Sequence, residues 1–185
     1  MTPKQQGGFT WHEAHVPRGY RATMPPSKSD DWATPWPLFR LLDREFRFTI
    51  DVAAAAHNTK CERYYTKEQN GLEQSWAGER VWCNPDWSQP SLTAFTAKAA
   101  REKELHGVLS VFLVPVKSDQ RWFHDVAIKH EVRFIAGRIE FVPVDGKGAN
   151  APIPACVVVI SPDHGPRMVS LEQPQLSILD AMEGR

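Results

Sequence analysis

Val108-Leu109-Ser110-Val111-Phe112-Leu113-Val114-Pro115 has Ser110 as its one polar side chain, and it follows a glycine, Gly107. A run this short and this apolar suits a strand covered on both faces, as in the interior of a layered sheet. Ala155-Cys156-Val157-Val158-Val159-Ile160 reads the same way. Strands of this kind need helices above and below them, so the segments between them must supply apolar faces.

They do. Upstream, Leu92, Phe95, Ala99 and Glu102 set one face of a helix that breaks at Gly107. Arg80-Val81-Trp82-Cys83 predicts a strand ending at Asn84-Pro85, and Phe48 to Ala53 predicts another with Asp51 near its carboxyl end. Leu38, Leu41, Leu42 and Phe46 have helical spacing, and Pro35 and Pro37 suit the first turn of that helix. Downstream, Trp122, Phe123, Val126 and Ala127 recur as on a helix, and Val132–Ile135 and Ile139–Val142 flank a turn at Gly137. The segment after Pro162 carries no clear pattern. Strands alternating with helices predict an α/β layered fold of one domain over about residues 30–161, with an unassigned tail at 162–185.

Residues 1–29 have no hydrophobic period and read as a flexible arm. Lys4, Arg18, Arg21 and Lys28 against the single acid Glu13 make it mildly basic, suited to a solvated tail or to touching phosphates.

Composition narrows the function. The chain has 185 residues, with 22 Lys plus Arg and 22 Asp plus Glu, so its formal net charge is zero. Strong nonspecific coating of nucleic acid is therefore not expected, although a local basic patch is compatible with it. Cys61, Cys83 and Cys156 are widely spaced and odd in number, which argues against a disulfide framework or zinc site and for a reducing compartment. No signal-like or bilayer-length apolar stretch occurs, so the expectation is a cytoplasmic protein without a membrane partner. The seven His show no metal-ligand spacing, and neither GxxxxGK nor GxGxxG nor a hydrolase nucleophile elbow is present.

In open α/β sheets ligands bind beyond the carboxyl ends of the strands. Trp32-Ala33-Thr34-Pro35, Asp51-Val52-Ala53-Ala54 and Asn84-Pro85-Asp86-Trp87 all fall at such places. With Cys61 to Thr66, Trp76 to Trp87 and Gly137 to Phe141, they make the chain resemble the phage-type DNA N6-adenine methyltransferases over about Asp30 to Ser161. The resemblance implies a doubly wound, mostly parallel, Rossmann-like sheet, S-adenosylmethionine as donor and DNA as partner. Action in the host cytoplasm is expected if the chain is phage-encoded.

It also implies roles. Asn84 and the Pro85 carbonyl would accept the N–H groups of the target amine, and Trp87 would stack on a base turned out of the duplex. Asp86 stands where the family usually has Pro; its carboxylate would either take up a proton or repel the electron-rich base. Trp32, Thr34, Pro35, Asp51, Ala53 and Ala54 would surround the donor's methionine end, with Ala53 to Ala56 replacing the usual glycine-rich turn. Glu68 and Asn70 are candidates for its ribose and adenine, and Asn58 and Lys60 for facing the same pocket. Lys117, Arg121 and Arg138 are the favoured DNA contacts, with Lys129, Arg133 and Lys147 also in the basic set. Gly146 to Asn150 would be a loop reaching a groove, or a hairpin tip. Two rivals remain open at this level: a methyltransferase for another planar nitrogen (RNA, cytosine or a Gln side chain), and a noncatalytic DNA-binding module. The sequence leaves the oligomeric state undetermined.

Overall fold

The computed structural model describes residues 32–143, 149–150 and 153–174. The proposed arm at 1–29, Lys147 and most of the Gly146–Asn150 loop lie outside the described residues.

The chain forms a mixed α/β unit. A seven-stranded sheet contains β2 (Ile50–Asp51), β3 (Arg63–Tyr64), β4 (Arg80–Cys83), β5 (Leu109–Pro115), β6 (Glu131–Ile135), β9 (Ala155–Ile160) and β10 (Arg167–Leu171), in the order β10-β6-β9-β5-β4-β2-β3. Every neighbouring pair is parallel except the two made by β9. A smaller antiparallel sheet joins β1 (Trp32–Ala33), β7 (Glu140–Pro143) and β8 (Ala149–Asn150), in the order β1-β7-β8.

The apolar runs explain the layering. All of β5 is buried, and alternate residues face opposite cores. Leu109, Val111 and Leu113 meet α1 (Trp36–Phe46) through Leu38, Phe39, Leu42 and Phe46. Phe112 and Val114 meet α2 (Gln89–His106) and α3 (Arg121–Asp125) through Leu92, Ala99, Trp122 and Phe123. β9 alternates in the same manner. Helices thus cover both faces of the sheet.

Local chemistry sets the ends of these elements. Pro35 and Pro37 open α1, and Pro90 lies in the first turn of α2. Gly107 closes α2 in the left-handed region, φ 65°, where a side chain would be strained. The strand expected from Phe48 to Ala53 is shorter than its apolar pattern. The Phe48 N–H is taken by the Asp43 carboxylate, and the Ala53 N–H turns back onto the carboxylate of Asp51.

Two regions read differently in three dimensions. The strands either side of the Gly137 turn part company, β6 entering the large sheet and β7 the small one. The segment beyond Pro162 supplies β10, an edge strand parallel to β6. Among the described residues no helix is long and apolar enough to cross a membrane.

Candidate active site at the carboxyl ends of the parallel strands

Asn84 directly follows β4, so it lies at the carboxyl edge of the sheet beside the end of β2, where Asp51 pairs with Trp82. Its amide is held from two sides. Nδ2 donates to Thr34 Oγ1 at 3.2 Å, and Oδ1 accepts from Trp87 Nε1 at 3.3 Å. An indole N–H can only donate, so the atom facing Trp87 must be the amide oxygen. Thr34 is buried and follows β1, and the contact joins segments 50 residues apart.

Trp87 is fixed as firmly. Its Nε1 also donates to the Leu113 carbonyl at 3.3 Å, and its ring meets Phe141 edge-on with centroids 5.5 Å apart. Lys117 Nζ donates to the Trp87 carbonyl at 3.2 Å. Pro85 is buried and Asp86 exposed. Asp86 is fully engaged at the entry to α2, where Oδ1 accepts the Ser88 N–H at 2.9 Å and Oδ2 the Ser88 hydroxyl at 2.6 Å.

Asp51 is the second focus. It is 3% exposed at the end of β2, and its carboxylate accepts the Ala53 N–H at 3.3 Å and the Lys60 N–H at 3.2 Å. Burial dominates over these two bonds and pushes its pKa up to about 6. Burial likewise brings the Lys60 ammonium down to about 8, with Asp51 partly opposing the shift. That ammonium lies 4.3 Å from the centroid of the Trp36 ring, next to Thr34-Pro35. Ala53 is half-buried and Ala54 buried, its N–H donating to the Tyr65 carbonyl.

The segment after β3 folds against the same strand end. Gly71 approaches the backbone of Val52 so closely that a Cβ there would sit 2.2 Å from the Val52 carbonyl oxygen. Only glycine fits. Asn70 has a left-handed φ of 50°, and its side chain bonds Leu72 N–H and Glu73 Oε1, stabilising its own turn. Glu68 is exposed, its carboxyl pKa lowered by a hydrogen bond from Thr66. A groove of about 450 Å³ runs along edge strand β3, lined by Arg63, Tyr64, Tyr65, Thr66 and Gln69 among others.

Thr34, Asn84 and Trp87 are therefore in one hydrogen-bonded group, Asp51 stands at the neighbouring strand end, and Lys117 bonds the loop at the Trp87 carbonyl. Trp32 lies two residues before Thr34, and Pro35 directly follows it. Arg121 is exposed and pairs with Asp125 at 3.3 Å, and Arg138 is exposed beside Gly137. Arg133 is turned elsewhere: its guanidinium is buried between Glu45 and Glu131, each at 2.6 Å. Sequence reading missed Leu113, Ser88 and Gly71. A carbonyl partner leaves no signature in residue type, but a glycine directly after a turn-forming Asn was a usable signal.

Among the described residues no cluster of three His, Cys, Asp or Glu is positioned to hold a metal ion. Cys61, Cys83 and Cys156 are unpaired, and burial, foremost, raises all three thiol pKa values.

An Asn-Pro loop beside a buried carboxylate, at the carboxyl edge of a largely parallel sheet, is an arrangement suited to group transfer onto a planar amine. A family model described as DNA N-6-adenine-methyltransferase (Dam) matches residues 21–177. The chain is 36% identical over 121 residues to a DNA N-6-adenine-methyltransferase of Haemophilus phage HP1, an alignment covering 63% of this chain and 68% of that protein. It is 31% identical over 109 residues to a DNA N-6-adenine-methyltransferase of Escherichia phage T1, covering 57% of this chain and 44% of the relative. The chain belongs to the DNA N-6-adenine-methyltransferase (Dam) family.

Proposed function

We propose that the protein transfers a methyl group from S-adenosylmethionine to the exocyclic N6 amine of adenine in DNA. The observation that carries this reading is the Asn84 amide, locked between Thr34 and Trp87 with its oxygen orientation fixed, one strand from buried Asp51.

The order of strands, with β9 alone reversed, and the helices on both faces support a doubly wound, Rossmann-like sheet. The proposed organisation is an arm at 1–29 and a catalytic domain from residue 30, with the segment from 162 contributing β10.

The donor site is supported by the chemistry of Asp51. Its carboxylate is buried with two backbone N–H partners, and neither these nor the Lys60 charge nearby offsets its burial, so its pKa stays raised and a further cation would be favoured. The ammonium of a bound amino-acid moiety would supply that charge. Ala53 and Ala54 leave room for a ligand against the backbone, while Lys60, Trp36, Thr34 and Pro35 line the opposite approach. Glu68 and Asn70 fall on the loop proposed for the adenosine end. When bound, the donor supplies an electrophilic methyl on a sulfonium.

The protein's part is to prepare the nucleophile. An exocyclic adenine nitrogen is poor because its lone pair is delocalised into the ring. An amide oxygen such as Asn84 Oδ1 can accept two hydrogen bonds, one of which comes from Trp87, and the Pro85 carbonyl is the other proposed acceptor. Two accepted N–H bonds draw the lone pair out toward the methyl, and alignment of the groups lowers the barrier further. Trp87, immobilised at both its indole N–H and its ring edge, offers the stacking surface for a flipped base, worth roughly 1–3 kcal/mol. Asp86, with both oxygens on Ser88, helps shape the loop entry in place of a proline ring. Lys117, Arg121 and Arg138 are the proposed phosphate contacts.

The direct test is incubation of the full chain with DNA and methyl-labelled donor, then digestion to nucleosides. Label in N6-methyladenine is expected; label confined to cytosine, or no label, would overturn the assignment.

A further inference from the structure

We infer that Thr34 is a positioning residue for Asn84, setting which end of its amide faces the target amine. This rests on the methyl-transfer reading of the Asn84 loop, and it gives Thr34 a duty distinct from holding the donor.

An Asn side chain is nearly symmetrical in shape, but its two ends have opposite chemistry: the oxygen accepts and the NH2 donates. A target amine that must surrender N–H character needs the oxygen. Rotated by half a turn, the amide would present N–H against N–H and oppose the substrate.

Among the described residues, two contacts select the productive orientation. Trp87 Nε1 demands an acceptor, but it divides its proton between Asn84 Oδ1 and the Leu113 carbonyl, both at 3.3 Å. A shared, long bond of this kind is weak. Thr34 Oγ1 accepts Nδ2 from the other side at 3.2 Å, from a residue 3% exposed on a chain segment anchored by β1 pairing with β7. Burial matters here. Water cannot readily replace that acceptor, so the hydroxyl's loss is felt by the amide.

The link also explains a feature of the layout. Thr34 directly follows the short strand of the small sheet, whereas Asn84 follows β4 of the large one. The hydrogen bond is the point at which the two sheets jointly define the orientation of a catalytic side chain.

The test separates this role from donor binding. Thr34→Val keeps the shape and removes the acceptor. Methyl transfer to DNA and donor Kd are measured for wild type and variant, each checked for folding by thermal melting. The expected result is a fall in kcat of about tenfold, the scale of one buried hydrogen bond, with any change in donor Kd clearly smaller than the change in kcat. Thr34→Ser, which keeps the hydroxyl, is expected to recover most of the lost kcat. If Val at this position disturbs folding, Thr34→Ala against Thr34→Ser isolates the hydroxyl, since both lack the methyl. Unchanged kcat in Thr34→Val, or a Ser variant no better than Ala, overturns the inference, as does an effect confined to donor Kd. A wild type that transfers no methyl overturns the function itself and the positioning role with it, whereas an active wild type with an insensitive Thr34 overturns the positioning role alone.

Discussion

Two buried carboxylates lie at opposite ends of the same sheet, and their environments push them in opposite directions. Asp51, at the carboxyl edge, has two backbone N–H partners, and burial raises its pKa to about 6. Glu131 begins β6 at the amino edge and is fully buried. Burial acts on it too, but hydrogen bonds from Arg167 at 2.9 Å, His164 at 2.5 Å and Arg133 at 2.6 Å outweigh it and lower the pKa to about 2. Arg133 continues the network to Glu45 near the end of α1, so the cluster ties together β6, β10, α1 and the loop before β10. One carboxylate is compensated within the fold. The other keeps a raised pKa even with the Lys60 charge nearby. That difference separates a structural staple from the carboxylate proposed to hold a ligand more sharply than burial does.

The largest expected effect is on chemistry. Asn84→Ala should lower methyl transfer by about 100-fold to 1000-fold, the scale seen when a polar contact to the reacting atoms is removed. Donor binding, followed by calorimetric titration, should be nearly unchanged, because the role proposed for Asn84 is on the acceptor side. Near-normal transfer would remove Asn84 from its assigned role.

At the amino edge the effect should be on stability. Glu131→Gln leaves Arg133 and Arg167 without their buried anion and should cost about 3 kcal/mol, read from denaturant unfolding. The folded fraction should keep its specific activity, since the network stands at the far end of the strands. A loss of activity without a loss of stability would break the contrast between the two ends.

The pH dependence of the donor-free protein sharpens the same point. For Glu131 the folded pKa lies below the ordinary 4.5, so its stabilisation is present above that value and is lost as pH falls from about 4.5 to 2. For Asp51 the folded pKa lies above the ordinary 3.8, so the folded state holds the extra proton and stability falls as pH rises from about 4 to 6. Melting temperatures of Asp51→Asn should lack the second trend and retain the first. If Asp51→Asn and Glu131→Gln each show the wild-type profile, the two carboxylates do not control it.

A smaller effect is expected at the loop. Asp86→Ala removes two contacts to Ser88 at the start of α2 and should cost about 1 kcal/mol, a drop of about 2–4 °C in Tm. Asp86→Pro should hold the loop by its ring instead and retain methyl transfer. Inactivity of both variants with an unchanged Tm would instead make the carboxylate part of the chemistry.

Much of the fold was legible because it is written in apolar runs. Leu109–Pro115 and Ala155–Ile160 are buried on both faces, and short runs rich in Val and bounded by Gly107 and prolines favour strand over helix. β10 escaped because Met168 and Val169 are exposed and an edge strand with one neighbour needs little apolar patterning. The candidate site was legible as three segments at strand ends. What residue type could not disclose was their joining: a 50-residue span closed by one Thr–Asn bond, or a Trp indole choosing between an amide and a carbonyl. The Glu131 network was hidden for a similar reason. Arg133, read as one of the basic set for DNA contact, is placed by tertiary contacts with Glu45, 88 residues away.

The most direct measurement is calorimetric titration of the protein with S-adenosylmethionine from pH 5 to 8, for wild type and Asp51→Asn. The account predicts saturable binding whose affinity falls about tenfold per unit once pH drops below about 6, because the carboxylate must shed a proton to receive the ammonium. Binding by Asp51→Asn should be weaker and flat across that range. Wild-type affinity that stays constant from pH 5 to 8, or an Asn variant that binds as tightly, would contradict it.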